Sequence, residues 1–179
     1  VTSRTEDKIG AAYVHCLHGQ DNVGEASSML SYTWAYTIGD IVDTLDAYCT
    51  TKNLHPKRTY IWICCLCVNQ HRVAEAKKSG ILAPTETFFE EFGVRVAGIG
   101  HILAMMATWN EPLYLKRIWC IFKIYTANEK GCDVTIVMPP DQKKEVDEHV
   151  VGELYKALAK TKIEDAKASV EQDRLAILD

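Results

Sequence analysis

The chain has no apolar run approaching the roughly 18–20 residues needed to cross a bilayer, which excludes a membrane-spanning helix. It has no excess of one charge: 20 basic residues against 24 acidic ones give a net charge of −4 and a pI near 5.9. A surface balanced in that way carries no footprint for nucleic acid or for an anionic membrane. No signal-peptide pattern opens the chain; because it begins at Val1, a trimmed leader and an organellar destination stay compatible with it. There are no internal repeats, no low-complexity segments and no cysteines at zinc-finger spacing. At 179 residues it is long enough for one well-buried core and short for two.

Cysteine is plentiful instead. There are seven, an odd number, and Cys64, Cys65 and Cys67 crowd one run, YIWICCLCVNQ from Tyr60 to Gln70. That run is apolar on both alternate positions and rich in β-favouring residues, which predicts a fully buried strand of a parallel sheet. On a strand Cys65 and Cys67 share one face and Cys64 takes the other, so the three cannot converge on one metal. A thiolate site would need Cys16, Cys49, Cys120 or Cys132 to complete it. Reduced cysteines packing as small hydrophobes are the simpler reading, and they point to an intracellular reducing compartment, the cytoplasm foremost. The run stops at Asn69, Gln70, His71 and Arg72, polar residues where an α/β protein places its ligand crevice.

Taken in order, residues 1–27 predict an irregular lead-in. Ser28 to Trp34 predicts a first strand. Ile38, Ile41, Val42, Leu45 and Tyr48 recur at helical spacing and predict a helix ending near Asn53, ahead of Pro56. The Tyr60 strand completes a right-handed βαβ unit. Residues 68–85 read as a long polar connection. Thr85 opens a second helix, with Phe89, Phe92, Val96 and Ile99 on one stripe and Gly98 and Gly100 at its end. His101 to Thr108 predicts a third strand and Leu113 to about Lys130 a third helix. Cys132 to Met138 predicts a fourth strand, stopped by Pro139 and Pro140. Asp141 caps a last long helix with the stripe Val146, Val150, Leu154 and Leu158, and Ser169 caps a shorter one.

This alternation predicts an α/β three-layer sandwich, flavodoxin-like, around a parallel sheet of four to five strands in the order 2-1-3-4(-5). The domain spans 28–160. A helical tail, 161–179, packs on it or leads to a region beyond this sequence. The crevice falls between the loops after the Ser28 and His101 strands.

Three segments carry a resemblance. Leu30 to Trp34 (LSYTW), Trp62 to Gln70 (WICCLCVNQ) and Arg117 to Lys123 (RIWCIFK) resemble, in order and rough spacing, the fungal heterokaryon-incompatibility (HET) domain. There the motifs read approximately LSYVWG, WIDALCINQ and RxWTLQE. The pattern is similar to a group of uncharacterised proteins of protists and algae. It also resembles, more distantly, Toll/interleukin-receptor (TIR) domains, which begin with a strand like ISY and carry a WCxxE-like motif on the third helix.

The chain departs from the pattern twice. Cys64 stands where the incompatibility motif has aspartate, and Lys123 stands where both families place glutamate. In active TIR domains that glutamate is associated with cleavage of the nicotinamide–ribose bond of NAD, whose oxocarbenium-like transition state needs a nearby negative charge. An ammonium has the wrong sign. Glu129, six residues on, is turned about 240° from Lys123 on a helix and is a poor substitute.

The resemblance therefore implies a TIR/HET-like interaction or assembly module without NAD-cleaving activity, working with protein partners and by self-association. A second expectation is an NAD(P)- or nucleotide-binding or hydrolysing enzyme, with Ser31, Trp34, Asn69 and Trp119 lining the crevice and Lys123 on a phosphate. A third is a structural subunit of a larger assembly, compatible with the 47% apolar composition. Each candidate also has a plainer reading. Trp34, Trp62 and Trp119 can be core or crevice-wall aromatics, Ser31 a turn-forming hydroxyl, Asn69 and Gln70 loop fasteners, and Lys123 a solvated helix lysine. Cys120 as a nucleophile would need a base that no histidine in the sequence is placed to supply.

Overall fold

In a computed structural model, residues 10–80, 85–108, 112–142, 166–167, 174–175 and 177 are described. The architecture is α/β, with four parallel strands in the order β2-β1-β3-β4 flanked by helices, consistent with a flavodoxin-like three-layer sandwich. β1 is Ser28–Ser31, β2 Ile61–Trp62, β3 His101–Met105 and β4 Asp133–Val137. β1 lies between β2 and β3, with Met29 opposite Trp62 on one side and Ile102 on the other. β3 runs in full register with β4, from His101 opposite Asp133 to Met105 opposite Val137.

The pleat divides the core. Leu30, Leu103, Met105 and Val137 point to one face, where Ile41 of α1 (Ile38–Thr51) covers them. Met29 and Ile102 point to the other, against Phe92 and Val96 of α4 (Thr85–Ile99) and Ala127 of α5 (Ile118–Glu129). α1 begins where the sequence dictates. Thr37 accepts from the Asp40 amide, and the Asp40 carboxylate accepts from the Thr37 amide, closing a capping box. α4 ends at Gly100, in the left-handed conformation at φ +76, whose N–H bonds to the Val96 carbonyl. Among the described residues no helix is long and apolar enough to cross a membrane.

Two expectations are overturned between residues 60 and 85. The run from Tyr60 is a strand only at Ile61–Trp62, half-buried at the sheet edge. Cys64–Cys67 then turns into α2, a single helical turn closed by Cys67 N–H to Ile63 O at 2.8 Å and Val68 N–H to Cys64 O at 3.0 Å. An edge strand pairs with one neighbour only, so a run that suits a central strand is free to leave the ladder early. The helical turn also removes the strand alternation assumed for the cysteines: Cys64 and Cys65 both pack toward the α1 side of the core. The second correction is α3, Gln70–Ser79, which occupies the stretch read as a polar connection. Asn69 caps it, accepting from the amides of His71 and Arg72, and Gly80 ends it at φ +69. Its helix-favouring Ala74, Glu75 and Ala76 carry it without an apolar stripe.

A third helix expected from Leu113 is broken in two. Leu113–Lys116 forms a 3-10 turn, Arg117 is extended and pairs with Lys167, and α5 starts at Ile118. The reason is a bridge to the C-terminal segment: Lys167 N–H bonds to Lys116 O at 2.9 Å and Ile118 N–H to Lys167 O at 3.1 Å. Ahead of the sheet, residues 10–27 include a 3-10 turn at Tyr13–Cys16 that packs against α2, with Ala11 and Ala12 buried. The expected helix after Asp141 lies outside the described residues beyond its opening turn at 140–142. The Ser169 helix lies outside them apart from residues 174–175 and 177.

At the amino end of the sheet one histidine joins three strands. His101 Nδ1 lies 3.0 Å from Ser28 Oγ, and its Nε2 lies 2.9 Å from Thr135 Oγ1. Burial lowers its pKa from 6.5; nearby Asp133 opposes this and Lys52 adds to it. The unfolded chain then binds the proton more readily than the folded one, so this contribution to stability is complete above about pH 6.5. It is lost as the pH falls through the lower folded value. We expect unfolding free energy measured by urea titration to drop as the pH falls below about 6.5, and His101→Gln to remove this component of the slope.

Candidate functional site at the carboxyl end of the sheet

β1 and β3 are neighbours whose following helices go to opposite faces, which makes the gap beyond their carboxyl ends the topological switch point. The residues there are mostly bonded to one another. Ser31 ends β1 with no exposure, its Oγ 2.7 Å from Tyr114 Oη. Tyr114 donates its one hydroxyl proton to Cys120 O at 3.0 Å, so Ser31 is the donor in the shorter bond. The result is a directed chain from β1 through the 3-10 turn to the first turn of α5. Burial pushes the Tyr114 phenol well above its usual range, which keeps it a donor.

A second clamp sits beside it. Tyr36 donates to Ala107 O at 2.6 Å and accepts from Ala107 N–H at 3.0 Å, tying the loop after β1 to the loop after β3. Its pKa is pushed up to about 12, mainly by burial. Tyr32 completes the group. Its phenol receives the Cys64 thiol at 3.6 Å, its backbone carbonyl receives the Cys120 thiol at 3.5 Å, and burial raises its pKa, helped by Cys65 and Cys64.

The expected residues distribute as follows. Ser31 is present at the site, but its hydroxyl is used internally rather than in a turn. Trp34 is 67% exposed, so it is not a core aromatic; it stands in the turn closed by Tyr36 N–H to Thr33 O. Asn69 caps α3 and also donates to Gly10 O at 3.0 Å, and Gln70 donates to Cys64 O at 3.0 Å; both fasten the segment after β2. Trp62 is half-buried under the guanidinium of Arg95, 5.3 Å from the ring centroid. Trp119 packs between helices, 5.7 Å from the Phe89 ring and 5.6 Å from the Phe122 ring.

Lys123 is half-buried on α5, close enough to Cys120 to favour its thiolate, as does Arg117. Burial outweighs both cations and pushes the Cys120 thiol up to about 11, so it is a poor nucleophile at neutral pH. Among the described residues no three cysteines, histidines or carboxylates gather to hold a metal, and the seven cysteines are free thiols.

No protein-family model, curated protein or solved structure matches this chain. The site's organising residues, Tyr32, Tyr36 and Tyr114, were not candidates from the sequence. Tyr32 lies inside the LSYTW segment and could have been found there. Tyr114 sits in a 3-10 turn with no periodic signal around it.

The hydroxyl chain makes a measurable prediction. Removing one buried partner leaves the other unsatisfied, at a cost of about 1–3 kcal/mol. Tyr114→Phe and Ser31→Ala should each lower the unfolding free energy by that order in urea titrations. Because they share a bond, the double variant should lose less than the sum. Strict additivity would show that the two hydroxyls are not coupled.

Proposed function

We propose that the chain is an assembly module, working through protein–protein contacts that include self-association, and that it does not cleave NAD. The observation that carries this reading is the state of the switch point. The hydroxyls a nucleotide would use there, Ser31 and Tyr114, are buried and bonded to one another. Lys123, at the position where the resemblance expects a glutamate, brings positive charge to the same end. Asp40, a carboxylate that acts on Tyr36, is held by Thr37 in the capping box. An oxocarbenium-like transition state would find the wrong sign of charge and no free acceptor among these groups. The free thiols support a reducing compartment for the module.

A nucleotide-binding reading has one observation in its favour: exposed Trp34 and two cations, Arg117 and Lys123, belong to the same end of the sheet. Incubation with NAD separates the two readings. We expect no nicotinamide release above the buffer rate, and light scattering that reports a mass rising with protein concentration. Release well above buffer would overturn the first half, and a monomer at high concentration in crowded buffer would overturn the second. Lys123→Glu should leave the fold unchanged, since a helix accepts either residue at similar cost. Without a supporting shell around the new carboxylate, it should yield at most slow cleavage.

A further inference from the structure

α1 carries an exposed apolar strip that the domain itself does not use. Ile38 is 70% exposed and Val42 57% exposed. One turn apart, they lie about 40° from each other around the helix. Trp34 stands exposed in the turn just before the Thr37 cap. The core side of α1 is elsewhere, made by Ile41, Thr44 and Cys49, with Leu45 and Tyr48 packed on the sheet. Three large side chains this open leave on the order of 350 Å² of apolar surface, comparable to the largest patch on an ordinary monomer and often functional at that size.

The charge on α1 itself has one sign. α1 contains Asp40, Asp43 and Asp46 and no lysine or arginine. Asp40 has a structural reason, since it closes the capping box in the first turn, where the helix dipole favours an anion. That effect fades beyond the first turn, so it does not account for Asp43 and Asp46. Both are exposed, and neither joins an ion pair with a described residue. Asp46 lies about 40° round the helix from Val42, and Asp43 about 100° in the same direction. The apolar strip is therefore bordered on one side by two carboxylates that have no ion pair among the described residues.

We propose that this face of α1 docks a cationic amphipathic helix of a partner protein. Its apolar ridge would cover Trp34, Ile38 and Val42, and its lysines or arginines would meet Asp43 and Asp46. Ile38 and Val42 form an i, i+4 ridge, which seats in the groove of another helix and is read by apolar residues at matching spacing. Charge complementarity selects the sign. An anionic helix or anionic surface is repelled, and a neutral one leaves two rim carboxylates unmatched. A second copy of the same face would set two pairs of aspartates against each other across a two-fold axis. The proposal rests on the assembly-module reading and adds to it the chemistry of one partner.

The test uses the full chain and three labelled peptides of about 18 residues, read by fluorescence anisotropy. One patterns Leu and Lys as an amphipathic helix, one replaces Lys with Glu, and one scrambles the Leu/Lys order. We expect the first to bind in the micromolar range and the other two not to bind. Ile38→Ser/Val42→Ser and Asp43→Lys/Asp46→Lys, checked for native circular dichroism, should each weaken binding about tenfold. Raising salt from about 0.05 to 0.3 M should weaken it several-fold. Equal binding by all variants, or no binding of the Leu/Lys peptide, would overturn the proposal. So would loss of self-association in the Ile38/Val42 variant, which would mark a homotypic interface, or attachment of this face to phosphatidylcholine vesicles in place of the peptide. Nicotinamide release with peptide binding intact would break the pseudoenzyme reading and leave this inference standing.

Discussion

β1 has only four residues, all of them buried, and two of the four are serines. A hydroxyl withdrawn from water without a partner costs about as much as a good hydrogen bond supplies, so both ends of the central strand depend on a partner from elsewhere in the chain. Ser28 meets His101, which reaches on to Thr135, and the amino ends of β1 and β3 are joined to the middle of β4. Ser31 meets Tyr114, which reaches on to Cys120, and the carboxyl end of β1 is joined to the 3-10 turn and to α5. Between the serines, Met29 and Leu30 supply one apolar residue to each face of the sheet. The sandwich is closed around these four positions.

This arrangement has a direct bearing on function. In an open α/β sheet the switch point is where a ligand gains access to backbone and side-chain polar groups. Here Tyr36 clasps both polar groups of Ala107, and the Ser31 and Tyr114 hydroxyls are bonded to each other. The thiol of Cys120, beneath two cations, is held protonated by burial. Trp34, Ile38 and Val42, on α1 and the turn before it, are among the large apolar side chains left exposed, and they lie next to carboxylates. Internally bonded hydroxyls at the switch point beside an exposed helix face are what the proposed assembly role rests on.

Much of the fold is legible in the residues because local and long-range preferences agree. The spacing of Ile38, Ile41, Val42, Leu45 and Tyr48 announces α1, Gly100 the end of α4, and the apolar runs at His101 and Asp133 become β3 and β4. Reading fails where a segment is decided by something outside itself. The Tyr60 run has the composition of a central strand, yet it sits at an edge, where two residues of pairing suffice and Cys64–Cys67 can coil. α3 lacks an apolar stripe because it exposes most of its sides to solvent. Arg117 leaves the helix to pair with Lys167, fifty positions away, which no local window can anticipate. At the site, Ser31 is legible as a strand-end hydroxyl. Its partner is not, because Tyr114 reaches it from an irregular turn 83 residues on.

The most direct measurement is amide hydrogen exchange across β1, β3 and the first turn of α5, with and without saturating NAD. If the internal bonds close the switch point, Met29 to Ser31, Ile102 to Ala107 and the Cys120 region exchange slowly, and NAD leaves their rates unchanged. Added protection at Ser31, Ala107 or Cys120 when NAD is present would mean that the crevice opens to a nucleotide, and the account of a closed, non-catalytic module would be wrong.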